Sequence, residues 1–158
     1  MKHVYFLLLS TVISATAQKS EINTLLNDWH KAAADVKFDA YFSHFSKDAV
    51  YIGTDAAENW KVGAFKEWAK PYFDKGTTWN FKMVERTVFV SADGQLAWFD
   101  ELLDTQMKLC RGSGVLKKEN GKWKIAHYVL SVTVPNENME EVVKVKGKIE
   151  DAYLGSKH

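Results

Sequence analysis

Apolar residues in the first third of the chain recur at helical spacing. Ile22, Leu25, Leu26, Trp29 and Ala33 fall at i, i+3, i+4, i+7 and i+11, which marks one face of an amphipathic helix. Segment 38–45 repeats this spacing and predicts one or two further helical turns, and segment 62–76 predicts another helix. We expect Pro71 to kink or interrupt that helix and Gly76 to cap its C-terminus.

The hydrophobic pattern changes to strand-like alternation after Trp79. Residues 48–53 already predict one short strand, and turn sequences centred near positions 93, 106 and 120 divide the later segment into four more. Three successive turns make these four strands an antiparallel meander. The sequence therefore predicts an α+β fold, in which N-terminal helices cover one face of a four- to five-stranded, mainly antiparallel sheet.

The turn positions also predict which residues face each other across the meander. Opposite residues in a hairpin have position numbers with a constant sum, and they project from the same face of the sheet. With these turn centres, one face holds Glu85, Phe99, Glu101, Arg111, Ser113 and His127. A bulge at a glycine-containing turn would shift the pairing by one residue and bring Arg86, Asp100 and Tyr128 into play instead.

The last strand indicates which face meets the helices. Trp123 and Ile125 alternate with Lys124, so these two and the other odd-numbered positions, His127 included, are predicted to face inward. The outward set then contains Tyr128, Leu130 and Val132. This set is too apolar for a solvent-exposed face, and a second copy of the protein is its simplest cover. A homodimer through these three residues is therefore predicted.

An inward-facing Arg111 and Glu101 would need each other, because burying either charge alone costs several kcal/mol. We expect the two to form a buried pair at the mouth of an apolar cavity. There the pair would orient a polar group of a ligand, with Glu85 and Ser113 as further ligand-binding candidates. The alternative is an exposed cross-strand ion pair worth about 0–1 kcal/mol.

Aromatic residues make up 13% of the sequence, which exceeds what the packing of so small a domain requires. The candidates for lining a cavity are Trp29, Tyr51, Trp60 and Phe99, whereas Trp68 and Trp123 are expected to be core residues. Such a cavity suits a small, largely apolar molecule that bears a carbonyl, hydroxyl or carboxylate group. The histidines are dispersed without i, i+4 pairing, so no metal and no cofactor is predicted.

The N-terminus has the three parts of a secretory signal peptide. Lys2 precedes an apolar run over residues 4–13, and an Ala-Thr-Ala sequence ends at Ala17. Residues 1–17 are therefore predicted to be removed on export, which makes the protein periplasmic or secreted. Of the 21 basic residues only Lys2 is lost, which leaves 20 basic and 20 acidic residues. This balance predicts binding to neither nucleic acid nor, after cleavage, a membrane.

The order of elements and the segments AWFDELLD, CRGSGVL and GKWKIAHYVLSVTVPN resemble the SnoaL-like branch of the nuclear transport factor two-like superfamily, which has the cystatin-like fold. The resemblance implies a SnoaL-like domain over residues 18–143 and a charged, partly helical tail over residues 144–158. It also implies that the curved sheet wraps round the N-terminal helices as a cone with an apolar cavity, and that two chains pair through the outer sheet surface.

The resemblance leaves the function open, because this fold carries many activities. The first hypothesis is an exported protein that binds a small, largely apolar molecule. The second is a cofactor-independent isomerase, dehydratase or cyclase, in which the resemblance implies Glu101 or Glu85 as base and His127 or Tyr51 as the group that polarises a carbonyl. The third is a dimeric interaction domain with an incidental cavity. Arg111 beside Glu101 would lower the pKa of that carboxyl and weaken it as a base.

Overall fold

The computed structural model describes the backbone of residues 2–157 and the side chains of residues 16–157. The predicted signal peptide lies, except for its last two residues, outside the part of the chain whose side chains are described. The elements in chain order are α1 (Lys2–Ala34), α2 (Phe38–Ser43), β1 (Phe45–Ile52), β2 (Asn59–Lys61), α3 (Val62–Asp74), β3 (Lys82–Val90), β4 (Leu96–Thr105), β5 (Lys108–Glu119), β6 (Lys122–Val132), a 3-10 turn (Asn136–Asn138) and α4 (Met139–Gly155).

The strands form one curved sheet in the order β2-β1-β6-β5-β4-β3. Strand β1 runs parallel to β6, and the other neighbouring pairs are antiparallel. The predicted α+β class, the meander and the N-terminal helices are confirmed. The sheet has one more strand than the four or five predicted, because the three residues of β2 follow the polar loop after β1 too closely to show a strand pattern.

The helices cover the concave face of the sheet. The apolar stripe of α1 is buried as its spacing predicts, with Ile22, Leu26, Trp29 and Ala33 in the core. Helix α3 buries Phe65, Ala69 and Phe73 and continues through Pro71, so the predicted interruption is wrong. Proline removes one hydrogen bond there, and the cost is small because the position is exposed and lies within a turn of the helix end.

The register of the meander differs by one residue from the prediction. Glu101 lies opposite Arg86 on β3 and opposite Gly112 on β5, not opposite Glu85 and Arg111. The reason is the length of the hairpin loops. Thr105 pairs with Lys108, so the β4–β5 loop has two residues and its centre falls between positions 106 and 107. A shift of one residue moves every side chain of a strand to the other face.

A β-bulge at Ala126 then inverts the alternation along β6. Leu116 pairs with Ile125 but Val115 pairs with His127, so Ala126 is the extra residue. Trp123 and Ile125 face inward as predicted. Beyond the bulge, Tyr128 and Leu130 are buried on the concave side as well, and Val132 lies half exposed in the same register at the strand end. The prediction that Tyr128, Leu130 and Val132 form the outer face is therefore wrong.

Candidate functional site

A buried polar cluster links α1 to the sheet through the carboxylate of Glu101. Oε1 accepts a hydrogen bond from His30 Nε2 at 2.8 Å and one from the Tyr128 hydroxyl at 3.0 Å. Oε2 accepts a hydrogen bond from Arg86 Nε at 2.9 Å. The side chain of Glu101 is 0% exposed and that of Arg86 is 1% exposed. A carboxylate at this depth is tolerated because both of its oxygens have partners.

The guanidinium of Arg86 bridges the carboxylate and the helix. Its Nη2 lies 2.7 Å from Glu101 Oε2, an electrostatic contact outside hydrogen-bonding geometry. Its Nη1 donates to Asn27 Oδ1 at 2.8 Å and to the Asn23 carbonyl at 3.3 Å. The arginine therefore holds one exposed edge of α1 against β3, and its charge compensates that of Glu101.

This environment keeps Glu101 ionised. Burial acts to raise the pKa of the carboxyl, but the hydrogen bond and charge of His30 and the charge and hydrogen bond of Arg86 outweigh it and hold the pKa below its usual value. Burial, followed by the charge of Glu101, raises the pKa of the Tyr128 phenol well above its usual value. Both carboxylate oxygens of Glu101 thus already accept hydrogen bonds, and the carboxylate has a lowered affinity for a proton. These properties make Glu101 unsuitable as a general base.

Several predicted site residues lie away from this cluster because of the register difference. Arg111 is exposed and lies opposite Leu102 and Ser131, so the predicted Arg111–Glu101 pair is wrong. Glu85 and Ser113 project from the same outer face as Arg111, and the bulge places His127 there too, opposite Val115. Glu101 is buried on the inner face as predicted, but its partner is Arg86.

A separate cavity of about 140 Å³ opens between the β1–β2 loop, α3 and the β4–β5 loop. Six of its lining residues are aromatic, namely Tyr51, Trp60, Phe65, Trp68, Trp79 and Phe81. The other six are Gly53, Thr54, Glu58, Gln106, Met107 and Leu130. The rings are ordered by mutual stacking, with centroids 4.0 Å apart for Tyr51 and Phe65 and 4.9 Å apart for Trp60 and Trp68. The cavity is therefore a rigid aromatic slot with a polar rim.

The predicted cavity residues divide into two groups. Tyr51 and Trp60 line the cavity. Trp29 and Phe99 are buried in the core, where each contacts Tyr128. Trp68, which the sequence analysis assigned to the core, is 39% exposed at the cavity wall.

Arg86 and Tyr128 were expected at the site only if the register shifted by one residue, and Glu58 was not identified. Arg86 falls in register with Val88 and Val90, which are buried or partly buried, and this parity is a usable signal for an inward-facing arginine. Glu58 has no such signal, because it belongs to a loop whose path depends on the fold. Its carboxylate lies over the backbone of Gly53, where a Cβ atom would collide with Oε2.

Two further features concern metals and membranes. Within the described residues, no group of three or more histidine, cysteine, aspartate or glutamate side chains is arranged to hold a metal ion. No helix in that same part of the chain is both long enough and apolar enough to cross a membrane.

The fold has many counterparts among solved structures. An NTF2-like protein of unknown function from Pseudomonas putida is 22% identical over 78% of this chain and 92% of that chain, with a TM-score of 0.66. A domain of unknown function with a cystatin-like fold from Nostoc punctiforme is 18% identical over 90% of this chain and 98% of that chain, with a TM-score of 0.63. At these identities the likeness shows the fold alone.

Sequence comparison gives the family. A comparison with curated proteins finds no match to the chain. Residues 22–135 match the SnoaL-like domain family, and this stretch contains the whole sheet, α2, α3 and the packed part of α1. The chain therefore belongs to the SnoaL-like domain family.

Proposed function

We propose that this protein binds a small, largely apolar molecule in the aromatic cavity. The observation that carries the proposal is the set of stacked rings that line the cavity beside a polar rim. Ligand sites of this kind combine apolar walls with a few polar groups that fix orientation. A cavity of about 140 Å³ matches the roughly 150 Å³ that accommodates benzene in another protein, so the buried part of the ligand is about one ring in size.

The Glu101 cluster argues against the catalytic role that the resemblance implies for Glu101. That role needs a cavity carboxylate that is free to take a proton. Glu101 accepts hydrogen bonds from His30, Tyr128 and Arg86, and it does not line the aromatic cavity. In this proposal, Glu101 has the structural role of fixing α1 against the sheet.

Removing one wall of the cavity tests the binding proposal. Trp68→Ala is expected to weaken the binding of benzyl alcohol, a one-ring probe, by about 2- to 12-fold, the equivalent of about 0.5–1.5 kcal/mol of lost aromatic contact. Ligand-detected nuclear magnetic resonance measures the affinity. Trp98→Ala is the matched control, because Trp98 lies on the outer face. Equal affinities for the two variants, or no binding to the wild type, would remove the proposal.

We also propose that two chains associate through the outer face of the sheet. Phe89, Trp98 and Val115 form a row across β3, β4 and β5 and are 44%, 49% and 38% exposed. The rings of Phe89 and Trp98 stack at 5.7 Å. An exposed apolar row of this kind is typical of an interface. It replaces the residues that the sequence analysis assigned to the dimer.

A charge in this row is expected to break the dimer. Trp98→Glu places a carboxylate where the partner would exclude water, so the mass measured by light scattering after size-exclusion chromatography should fall from two chains to one. Val145→Glu is the control, since Val145 is exposed on α4. A wild-type mass of one chain contradicts the proposal, and so does a Trp98→Glu mass of two chains.

Export remains a proposal that rests on the sequence motif. Among the side chains that the structure describes, Ile22 is the first buried one, so cleavage after Ala17 would remove none of the described core residues. The expected product is a periplasmic or secreted protein that begins at Gln18.

A further inference from the structure

The charge of the aromatic cavity distinguishes between classes of ligand. Glu58 is the one carboxylic acid among the lining residues, and none of the described lysines or arginines lines the cavity. No ion pair joins Glu58 to a cation within residues 16–157. Within those residues, the carboxylate at the cavity wall therefore has no ion-pair partner.

The loop between β1 and β2 fixes the position of this carboxylate. Glu58 Oε2 accepts a hydrogen bond from the backbone N–H of Asp55 at 3.2 Å, and the Gly53 N–H donates to the Glu58 carbonyl at 2.9 Å. The carboxylate lies against Gly53, where any side chain would displace it. The Tyr153 hydroxyl of α4 donates to the Ala56 carbonyl at 3.1 Å and ties the loop from outside. The charge is thus held in place rather than free to turn into solvent.

The rings beside Glu58 have the same electrostatic preference. Indole and phenol faces carry negative potential and attract cations, and tryptophan does so most strongly. Three of the lining residues are tryptophans, namely Trp60, Trp68 and Trp79. Burial raises the pKa of the Tyr51 phenol, and the negative charge of Glu58 raises it further. Both residues line the cavity. A carboxylate ligand would meet repulsion from both the acid and the ring faces.

We propose that the ligand is a small organic cation, an amine or quaternary ammonium compound about one ring in size, whose positive group lies beside Glu58 and over the tryptophan faces. This inference rests on the proposed function, and it narrows the ligand class expected from the sequence by disfavouring carboxylates. Thr54 and Gln106 at the rim supply oxygen acceptors for any ammonium N–H groups that do not reach Glu58.

A set of three probes that differ in charge tests this inference. Benzylammonium, benzyl alcohol and benzoate share one ring, and at pH 7 they are positive, neutral and negative. With the wild-type protein, benzylammonium is expected to bind about tenfold or more tightly than benzyl alcohol, and benzoate least tightly. In Glu58→Gln, which keeps the shape of the side chain, most of the tenfold preference for benzylammonium over benzyl alcohol should disappear.

Glu85→Gln is the matched control, because Glu85 is an exposed acid on the outer face. It should leave the full charge preference unchanged. Equal binding of all three probes, tightest binding of benzoate, or a preference that survives Glu58→Gln would overturn the inference. If benzyl alcohol still binds in a Trp68-dependent manner in those cases, the proposed function stands and the charge assignment alone fails. If none of the probes binds, both fail.

Discussion

Replacing Arg86 with alanine is expected to lower the free energy of unfolding by about 3–5 kcal/mol. The substitution leaves the Glu101 carboxylate buried without its cation, and it frees Asn27 on α1 from its hydrogen bond. Denaturant unfolding monitored by circular dichroism measures the change. The loss is large because the penalty is that of an uncompensated buried charge, not that of a surface ion pair.

Arg111→Ala is the control for this prediction. The two arginines are on different strands and on opposite faces of the sheet, and Arg111 is exposed. Its removal should change the free energy of unfolding by no more than about 0.5 kcal/mol. If Arg111→Ala proves the more damaging substitution, the register described above is wrong and the pairing first expected from the sequence is restored.

The second large effect is expected at Gly114 on the inner face of β5. A Cβ atom there would lie 2.6 Å from the His127 carbonyl oxygen and 2.7 Å from Phe99 Cε1. Neither neighbour moves freely, because one is backbone in the sheet and the other is a core ring. Gly114→Ala should therefore destabilise the fold by about 1–3 kcal/mol, measured as a lower midpoint of denaturant unfolding.

Gly147→Ala in α4 gives the matched comparison. A Cβ atom meets nothing within 4 Å there, and alanine is the better helix former, so this variant should be about 0.5–1 kcal/mol more stable. A Gly114→Ala variant as stable as the wild type would mean that β5 and Phe99 are packed less closely than the structure places them.

The elements of the fold were predictable because each has a clear periodic pattern. The stripe from Ile22 to Ala33 needed only the spacing of apolar residues, and the three meander turns needed only short polar segments, two of which contain glycine. The pairing of the strands required more, because it depends on whether a loop has an odd or an even number of residues. Asn120 and Gly121 both have positive φ, +51° and +76°, and an Asn-Gly pair of this kind indicates a two-residue loop.

The bulge at Ala126 is visible in the sequence pattern, but pairing by a constant sum of position numbers did not take it into account. Trp123 and Ile125 occupy odd positions, whereas Tyr128, Leu130 and Val132 occupy even positions, and such a change of phase within one strand indicates an extra residue. The spacing of Gly112 and Gly114 was a second sequence signal of the strand register. Two glycines at strand spacing allow close approach of large rings from neighbouring strands, here Tyr128 and Phe99.

The cavity was only partly predictable for a different reason. Whether an aromatic residue packs in the core or lines an opening depends on how α3 and the loops meet the sheet, and no local pattern records that. Tyr51 and Trp60 were expected at the cavity because of the high aromatic content, whereas Trp79 lies far from them in sequence and reaches the same cavity through the fold. Glu58 illustrates the same limit, since its position depends on a contact with Gly53 inside an irregular loop.

The central claim is that a small molecule occupies the aromatic cavity, and native mass spectrometry of the protein purified from its own host tests it most directly. The expected spectrum shows a chain that begins at Gln18 and carries one small molecule per chain. The bound fraction should be lower in Trp68→Ala and unchanged in Trp98→Ala. A wild-type chain that carries no small molecule, or the same bound fraction in both variants, would contradict the claim.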